Sequence, residues 1–329
     1  MEKILKNLEK DFVFQEIQED QRLQYINSKS NFESYLQAIA EAKLVRGGMF
    51  WKTQDSREYL IRTAANNSQT SLGLRTPETE AIYEKFKESK AKAEAYVAHF
   101  KRVMETNQRL NRALYVGRTP QIVVDLLNTI RVHGLDDYFT VVGTHAMYAY
   151  ESAAGVRINS SDALATKDVD FLFDTRKRVN FITDIRRLDS SMLGILQKVD
   201  PSFKMHQDQK HTAVNKDGFE VDIIRREAIR NPDAHPMRIT AHEEDFWVVQ
   251  AQRAGLLLDS QPFSAIVVSP RGDMAKMKTI NPNTFVKFKR WMSELPDREV
   301  LKKPRDRMQA DIVEDLVEEY FPQLATRNV

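Results

Sequence analysis

The run Thr166-Lys167-Asp168-Val169-Asp170-Phe171-Leu172-Phe173 constrains this chain more than any other stretch. In an extended strand side chains alternate, so Asp168 and Asp170 share one face while Val169, Phe171 and Phe173 point into a core. Two carboxylates held side by side repel each other, and the usual remedy is a divalent cation. A strand-to-helix turn, Val141-Val142-Gly143-Thr144, precedes this run, and a third aspartate follows in Phe219-Glu220-Val221-Asp222-Ile223-Ile224. Together these suit phosphoryl or nucleotidyl transfer from a nucleoside triphosphate.

Length allows two or three domains and a sizeable core. Acids and bases nearly cancel, at a net charge of +2, so bulk electrostatics argue neither for nor against a nucleic-acid partner. The absence of cysteine removes disulfides, thiolate metal sites and cysteine nucleophiles. No run is apolar and long enough to cross a membrane, and the start, Met1-Glu2-Lys3-Ile4-Leu5-Lys6, lacks the apolar stretch of a signal peptide. A cytoplasmic location with no membrane partner is the expectation.

The first third reads as helical, with apolar groups at helical spacing over residues 31–45, an interruption at Gly47-Gly48-Met49-Phe50-Trp51, and a loop over 66–73. Thr76 is a good N-cap, followed by Pro77 and by Glu78 and Glu80 in the first turn. From Ile82 to Leu110 apolar residues recur at threes, fours and sevens, predicting one amphipathic helix of about 50 Å. Such a helix braces a domain or dimerises. The middle third alternates: helix 120–133, strand 139–142, helix 145–154, strand 167–173, helix 180–197. A hairpin then joins 211–214 to 219–224 through Asn215-Lys216-Asp217-Gly218. The last third, from Asn231-Pro232, offers a strand at 264–269, a turn at Pro270-Arg271-Gly272, and helices at 283–292 and 305–320. Between Lys276 and Arg307 ten Lys or Arg face four Asp or Glu, the one notable charge asymmetry. Three regions follow: 1–115 helical, 116–232 an α/β core, and 233–329 α/β to helical.

Gly143 would let backbone approach a phosphate closely, and the helix after it presents free N–H groups and its positive dipole end to an anion. The Thr144 hydroxyl adds a donor. By itself a Gly-Thr pair here is also an ordinary turn. Magnesium takes one or two carboxylates plus substrate phosphates, and two such ions can serve an in-line displacement. Asp168 and Asp170 would hold them, with Asp222 holding the second ion or taking the acceptor's proton. A solvated acidic strand end is the competing account of Asp-x-Asp alone.

With these residues in order, the chain resembles the nucleotidyltransferase superfamily with the DNA polymerase β-type fold. That group combines a Gly-Ser or Gly-Gly helix start, an Asp/Glu-x-Asp/Glu strand and a third acid on a neighbouring strand. The chain is similar, more narrowly, to a bacterial branch of nucleotidyltransferase-like proteins. The segments are Gly48-Met49-Phe50-Trp51, Ser71-Leu72-Gly73-Leu74-Arg75, Val142-Gly143-Thr144-His145-Ala146-Met147-Tyr148-Ala149-Tyr150, Asp168-Val169-Asp170, Gly218-Phe219-Glu220-Val221-Asp222 and Lys303-Pro304-Arg305-Asp306-Arg307-Met308-Gln309-Ala310. Thr144 departs from the Ser or Gly of the wider superfamily, keeping the hydroxyl but adding a methyl group.

The resemblance implies an α+β fold with a small mixed sheet flanked by helices, and a Mg²⁺- or Mn²⁺-dependent transfer of a nucleoside monophosphate from an NTP. Asp168, Asp170 and Asp222 would be catalytic and metal-binding; Gly143, Thr144, Lys289 and Arg75 would bind the nucleotide. For Lys289 and Arg75 a surface role is the alternative, and Asp306 would either orient Lys289 or join a salt-bridge network. His145 reads as a neighbour of the site, not a catalyst. The acceptor is left open among RNA such as transfer RNA, a protein side chain and a small molecule. Toxin and phage-defence components share a similar core, which leaves room for an antitoxin partner, and the long helix leaves room for a homodimer. A non-catalytic nucleotide sensor or partner-binding module on the same fold is the main alternative, and a phosphohydrolase is disfavoured by the lack of a His-Asp pair or His-x-His cluster.

Overall fold

A computed structural model describes residues 13–64, 67–227 and 237–324. The chain divides into two compact units, one of residues 20–116, the other joining residues 117–329 to the segment before residue 20. The boundary expected near residue 232 and the expectation about residues 1–6 lie outside the described residues.

Strand β1 (Phe14–Glu16) precedes helix α1 (Glu19–Leu44), which begins about a dozen residues earlier than the apolar spacing suggests. The first third is not wholly helical: β2 (Gly48–Gln54), β3 (Arg57–Thr63) and β4 (Gln69–Leu74) form an antiparallel sheet in the order β2-β3-β4. Only Leu60 and Ile61 in these strands are buried, so no clean alternation marks them in sequence. Helix α2 (Pro77–Ala113) is the long helix expected. Thr76 caps it in a reciprocal arrangement with Thr79, satisfying two free N–H groups of the first turn.

The second unit is the α+β body. In chain order it holds α3 (Gln121–Val132), β5 (Phe139–Val142), α4 (Ala146–Ala154), β6 (Val156–Ile158), β7 (Asp168–Phe173), α5 (Arg178–Arg187), α6 (Met192–Gln197), β8 (Lys204–Met205), β9 (Thr212–Val214) and β10 (Glu220–Arg226). Then come β11 (Met237–Arg238), β12 (Trp247–Ala251), α7 (Ala254–Asp259), β13 (Phe263–Val268), β14 (Met274–Thr279), α8 (Pro282–Glu294) and α9 (Lys302–Tyr320). The main sheet runs β11-β12-β10-β7-β5-β14-β13, with β9 pairing β10 and β8 pairing β9. Strands from the last third thus extend the sheet that carries the paired acids.

Two elements differ from the sequence pattern for local reasons. The helix expected over 180–197 is broken in two, with Asp189 at φ 46° between the pieces and Ser191 capping the second by accepting from Gly194. Helix α9 starts before Pro304, which sits in its first turn where a missing N–H is harmless.

Burial explains why the middle strands lie where they do. All of β5 is buried, as are Val169, Phe171, Leu172 and Phe173 of β7. Phe139, Phe171, Phe173 and Phe181 meet mostly edge to face, with the closest centroids, Phe173 and Phe181, 5.0 Å apart. Each fully buried ring contributes about 1.5–3 kcal/mol by area and somewhat more from such pairing. Helix α4 is buried nearly all round, and its Tyr150 hydroxyl donates to the Ile280 carbonyl at 2.9 Å. This core leaves the polar N-terminal end of β7 and the C-terminal end of β5 at one edge.

Candidate active site

Register brings the three aspartates together. Strands β7 and β10 are parallel, with Asp222 opposite Asp170 and Glu220 opposite Asp168. The antiparallel pairing of β5 with β7 sets Val142 opposite Asp170, so Gly143 follows at the same level. One carboxylate oxygen each from Asp168, Asp170 and Asp222 lies within 4.8 Å of the others. Thr166 donates to Asp168 Oδ1, and Thr212 Oγ1 donates to Asp222 Oδ1 at 2.5 Å, holding both carboxylates in place.

Lys289 and Arg298 offset this crowding only in part. Burial, and then the neighbouring Asp168 and Asp222, push the Asp170 carboxyl up to about 7. Asp222 is also raised, chiefly by burial, against the opposing hydrogen bond from Thr212. Hard oxygen donors, close together and costly to ionise, are the donor set that Mg²⁺ or Mn²⁺ satisfies. The residues therefore fit the divalent cation that the sequence implies.

Asp170 has a consequence for stability. An unfolded Asp titrates near 3.9. With a folded value near 7, the folded state favours the neutral carboxyl. That contribution is complete below about pH 4 and is lost as pH rises towards 7. In chelator, wild-type Tm is expected to fall relative to Asp170→Asn between pH 5 and 7.5, and added Mg²⁺ should raise wild-type Tm more at pH 7.5 than at pH 5.5. A Tm difference between the two proteins that does not change with pH would contradict this.

Gly143 has φ 68°, and a Cβ placed there would sit 2.1 Å from Asp170 Oδ2. The sequence suggested close approach of a phosphate; the close approach seen is to a carboxylate of the acidic cluster. Alanine would meet the left-handed penalty of about 1–2 kcal/mol and also displace Asp170. Gly143→Ala is expected to lower stability by about 2–4 kcal/mol and transfer by roughly a hundredfold, since misplacement of about 1 Å is enough for that loss. Calorimetry and initial rates would check both.

Helices α8 and α9, with the turn between them, supply the cationic wall. Lys289 is not a surface lysine: it is 6% exposed, and its Nζ donates to Asp306 Oδ1 at 2.8 Å. Arg298 Nε donates to Asp306 Oδ2, also at 2.8 Å, so Asp306 both orients Lys289 and joins a salt-bridge network. Burial pulls the Lys289 ammonium below the ordinary lysine range while Asp306 pushes back. Thr144 Oγ1 accepts from Gln309 Nε2 at 3.0 Å and from Arg305 Nη2 at 3.4 Å. Gly143, Thr144, the three aspartates, Glu220, Lys289, Arg298, Lys302 and Arg305 all line one cavity of about 890 Å³. Ile224, Ala251, Leu257, Phe288 and Met292 add apolar wall to the same cavity.

The other residues singled out in sequence divide. His145 is buried against Tyr148 and Phe219, and burial lowers it to about 4, so it stays neutral and brings no charge to a phosphate. Arg75 belongs to the unit of residues 20–116, where it bonds Glu58 and Glu80, each at 2.8 Å, and lies over the Trp51 ring. Binding a phosphate there would mean exchanging both ion pairs. Arg298, Lys302, Arg305 and Gln309 went unassigned in sequence. Their signals were the basic bias of residues 276–307 and the segment from Lys303 to Ala310, neither of which says which side chains face inward.

A family model described as nucleotidyltransferase matches residues 121–329, a span that begins at α3 and contains the whole cavity wall named above. Neither the curated proteins nor the solved structures provide a match to this chain.

Proposed function

The chain belongs to the nucleotidyltransferase family, and we propose that it transfers a nucleoside monophosphate from a nucleoside triphosphate to an acceptor hydroxyl. One observation carries this: three strand-borne carboxylates within 4.8 Å of one another share a cavity with a buried lysine and three further cations from the C-terminal helical segment. Asp168, Asp170 and Asp222 hold Mg²⁺ or Mn²⁺, which when bound offsets phosphate charge and acidifies a nearby hydroxyl. Lys289, Arg298, Lys302 and Arg305 neutralise the triphosphate, and Thr144 donates to one of its oxygens. The acceptor oxygen forms a bond to the α-phosphorus, the bond from that phosphorus to the β-phosphate oxygen breaks, and pyrophosphate leaves. The hydroxyl proton passes to Asp222 where that carboxylate does not itself hold the second ion. Positioning and charge neutralisation supply the rate, with little covalent work for the protein. The apolar wall from Ile224 to Met292 gives the base a dry surface.

The acceptor is RNA, a protein side chain or a small molecule, and a toxin or defence role belongs with the first two. Each of the four α-³²P nucleoside triphosphates would be incubated with the protein and Mg²⁺ or Mn²⁺, using total RNA, cell lysate and a panel of small hydroxyl compounds as acceptors. Label in one of these, dependent on metal and absent from the Asp168→Asn/Asp170→Asn variant, is expected and names donor and acceptor class together. Nucleotide binding with no transfer to any acceptor would replace the enzyme by a nucleotide sensor.

A further inference from the structure

Gln309 sits on α9, is 0% exposed, and spends both amide protons on the protein. Its Nε2 donates to the Ala163 carbonyl at 2.6 Å and to Thr144 Oγ1 at 3.0 Å. The carbonyl contact fixes which way the amide lies, because a flipped amide would set oxygen against oxygen. Arg305 Nη2, 3.4 Å from Thr144 Oγ1, is donor-only in any state. A hydroxyl has two acceptor sites and one proton. With both sites taken from α9, the Thr144 proton has no acceptor on Gln309 or Arg305 and must point elsewhere.

A second observation marks the amide as kept for this purpose. Gln309 Oε1 is buried without a hydrogen-bond partner among the described residues. Such an orphaned acceptor costs about 1–3 kcal/mol, which a leucine or methionine of similar volume would avoid. Buried polar groups that carry such a cost are the ones to explain by function.

We propose that Gln309, assisted by Arg305, is a positioning residue that makes the Thr144 hydroxyl a fixed donor towards the cavity, tuned to a phosphate oxygen of the nucleotide. The inference rests on the nucleotidyltransferase reading. Its substance is that α9 sets the hydrogen-bond polarity of the turn after β5, a turn distant in sequence. A threonine free to rotate would serve as donor or acceptor alike; one held this way serves anions only. The methyl group of Thr144 further limits rotation about Cα–Cβ.

The test is a double-mutant cycle on binding. Titration calorimetry would measure Mg²⁺-complexed α,β-methylene ATP, together with whichever other α,β-methylene nucleotide the transfer assay favours, and inorganic tripolyphosphate. The proteins would be wild type, Thr144→Val, Gln309→Met and the double variant. Thr144→Val should weaken binding about tenfold, the size of one charge-assisted hydrogen bond. Gln309→Met should weaken it by roughly fivefold or more, and the double variant should bind no worse than Thr144→Val alone, because Gln309 acts only through that hydroxyl. Thr144→Ser should restore most of the affinity when Gln309 is intact, and little of it in Gln309→Met. Multiplying losses in the double variant, or unchanged binding by Gln309→Met, would overturn the proposal. If Gln309→Met does not fold, Gln309→Asn, which keeps the amide but shortens its reach to Thr144, takes its place in the cycle, and the same two results support or overturn the proposal. Failure of the wild type to bind any of these ligands would instead overturn the nucleotidyltransferase reading beneath it.

Discussion

The Asp168→Asn/Asp170→Asn protein is expected to lose at least about a thousandfold in transfer rate while folding at least as stably as the wild type in metal-free buffer. Removing a single well-aimed electrostatic contact in an active site costs on the order of 10²–10³ in rate, and this variant removes two of three carboxylates. Asparagine keeps the shape and one oxygen, so the β7 register and the packing of Val169, Phe171 and Phe173 beneath it are retained. Stability should move the other way. The Asp170 carboxyl near 7 marks repulsion and desolvation that the neutral amide does not feel. On the order of 1–3 kcal/mol would be recovered at pH 7.5, after discounting for screening. Loss of rate with gain of Tm separates a functional cluster from a structural one; loss of both would make these residues part of the scaffold. Unchanged transfer would remove them from the mechanism.

Much of this site was legible because its chemistry sits on short-range patterns. The alternation Asp168-Val169-Asp170-Phe171 predicts a strand with one acidic and one apolar face, and that is how β7 is buried. The hairpin into β10 carries an Asp-Gly turn signal, and Gly218 lies at φ 72°. Asp222 could be placed beside Asp170 only by assuming that β7 and β10 pair in parallel, a contact that spacing within either strand does not encode. Strands β12 and β14 are illegible for a related reason. Trp247-Val248-Val249-Gln250-Ala251 lacks alternation, and Lys276 and Lys278 in β14 read as surface charge, yet pairing with β10 and β5 draws both strands into the sheet. Asp306 and Gln309 show the same limit on α9. Their burial depends on partners 17 residues away, at Lys289, and 165 residues away, at Thr144. Helical periodicity reports which face is apolar, and polar residues buried for function are the ones it misplaces.

Lys289→Met should lower kcat/KM by on the order of a hundredfold and also destabilise the protein, and the two effects can be pulled apart. The lysine and Asp306 are both buried, and removing one partner of such a pair typically costs about 3–5 kcal/mol because the other charge is stranded. Here Asp306 keeps Arg298 at 2.8 Å, so a loss of about 2–3 kcal/mol is expected instead. Replacing both members, as Lys289→Met with Asp306→Leu, removes the stranded carboxylate and leaves only Arg298, whose side chain is 25% exposed and can turn to water. Buried pairs exchanged whole for apolar residues are often neutral in stability. The double variant should therefore recover most of the lost Tm yet remain as slow as the single one, since the charge proposed to face the triphosphate is still missing. Recovery of rate together with Tm would mean that Lys289 serves only to hold α8 against α9. A rate that stays low in a protein restored to full stability assigns the ammonium to the nucleotide, which is the role its place in the wall of the carboxylate cavity supports.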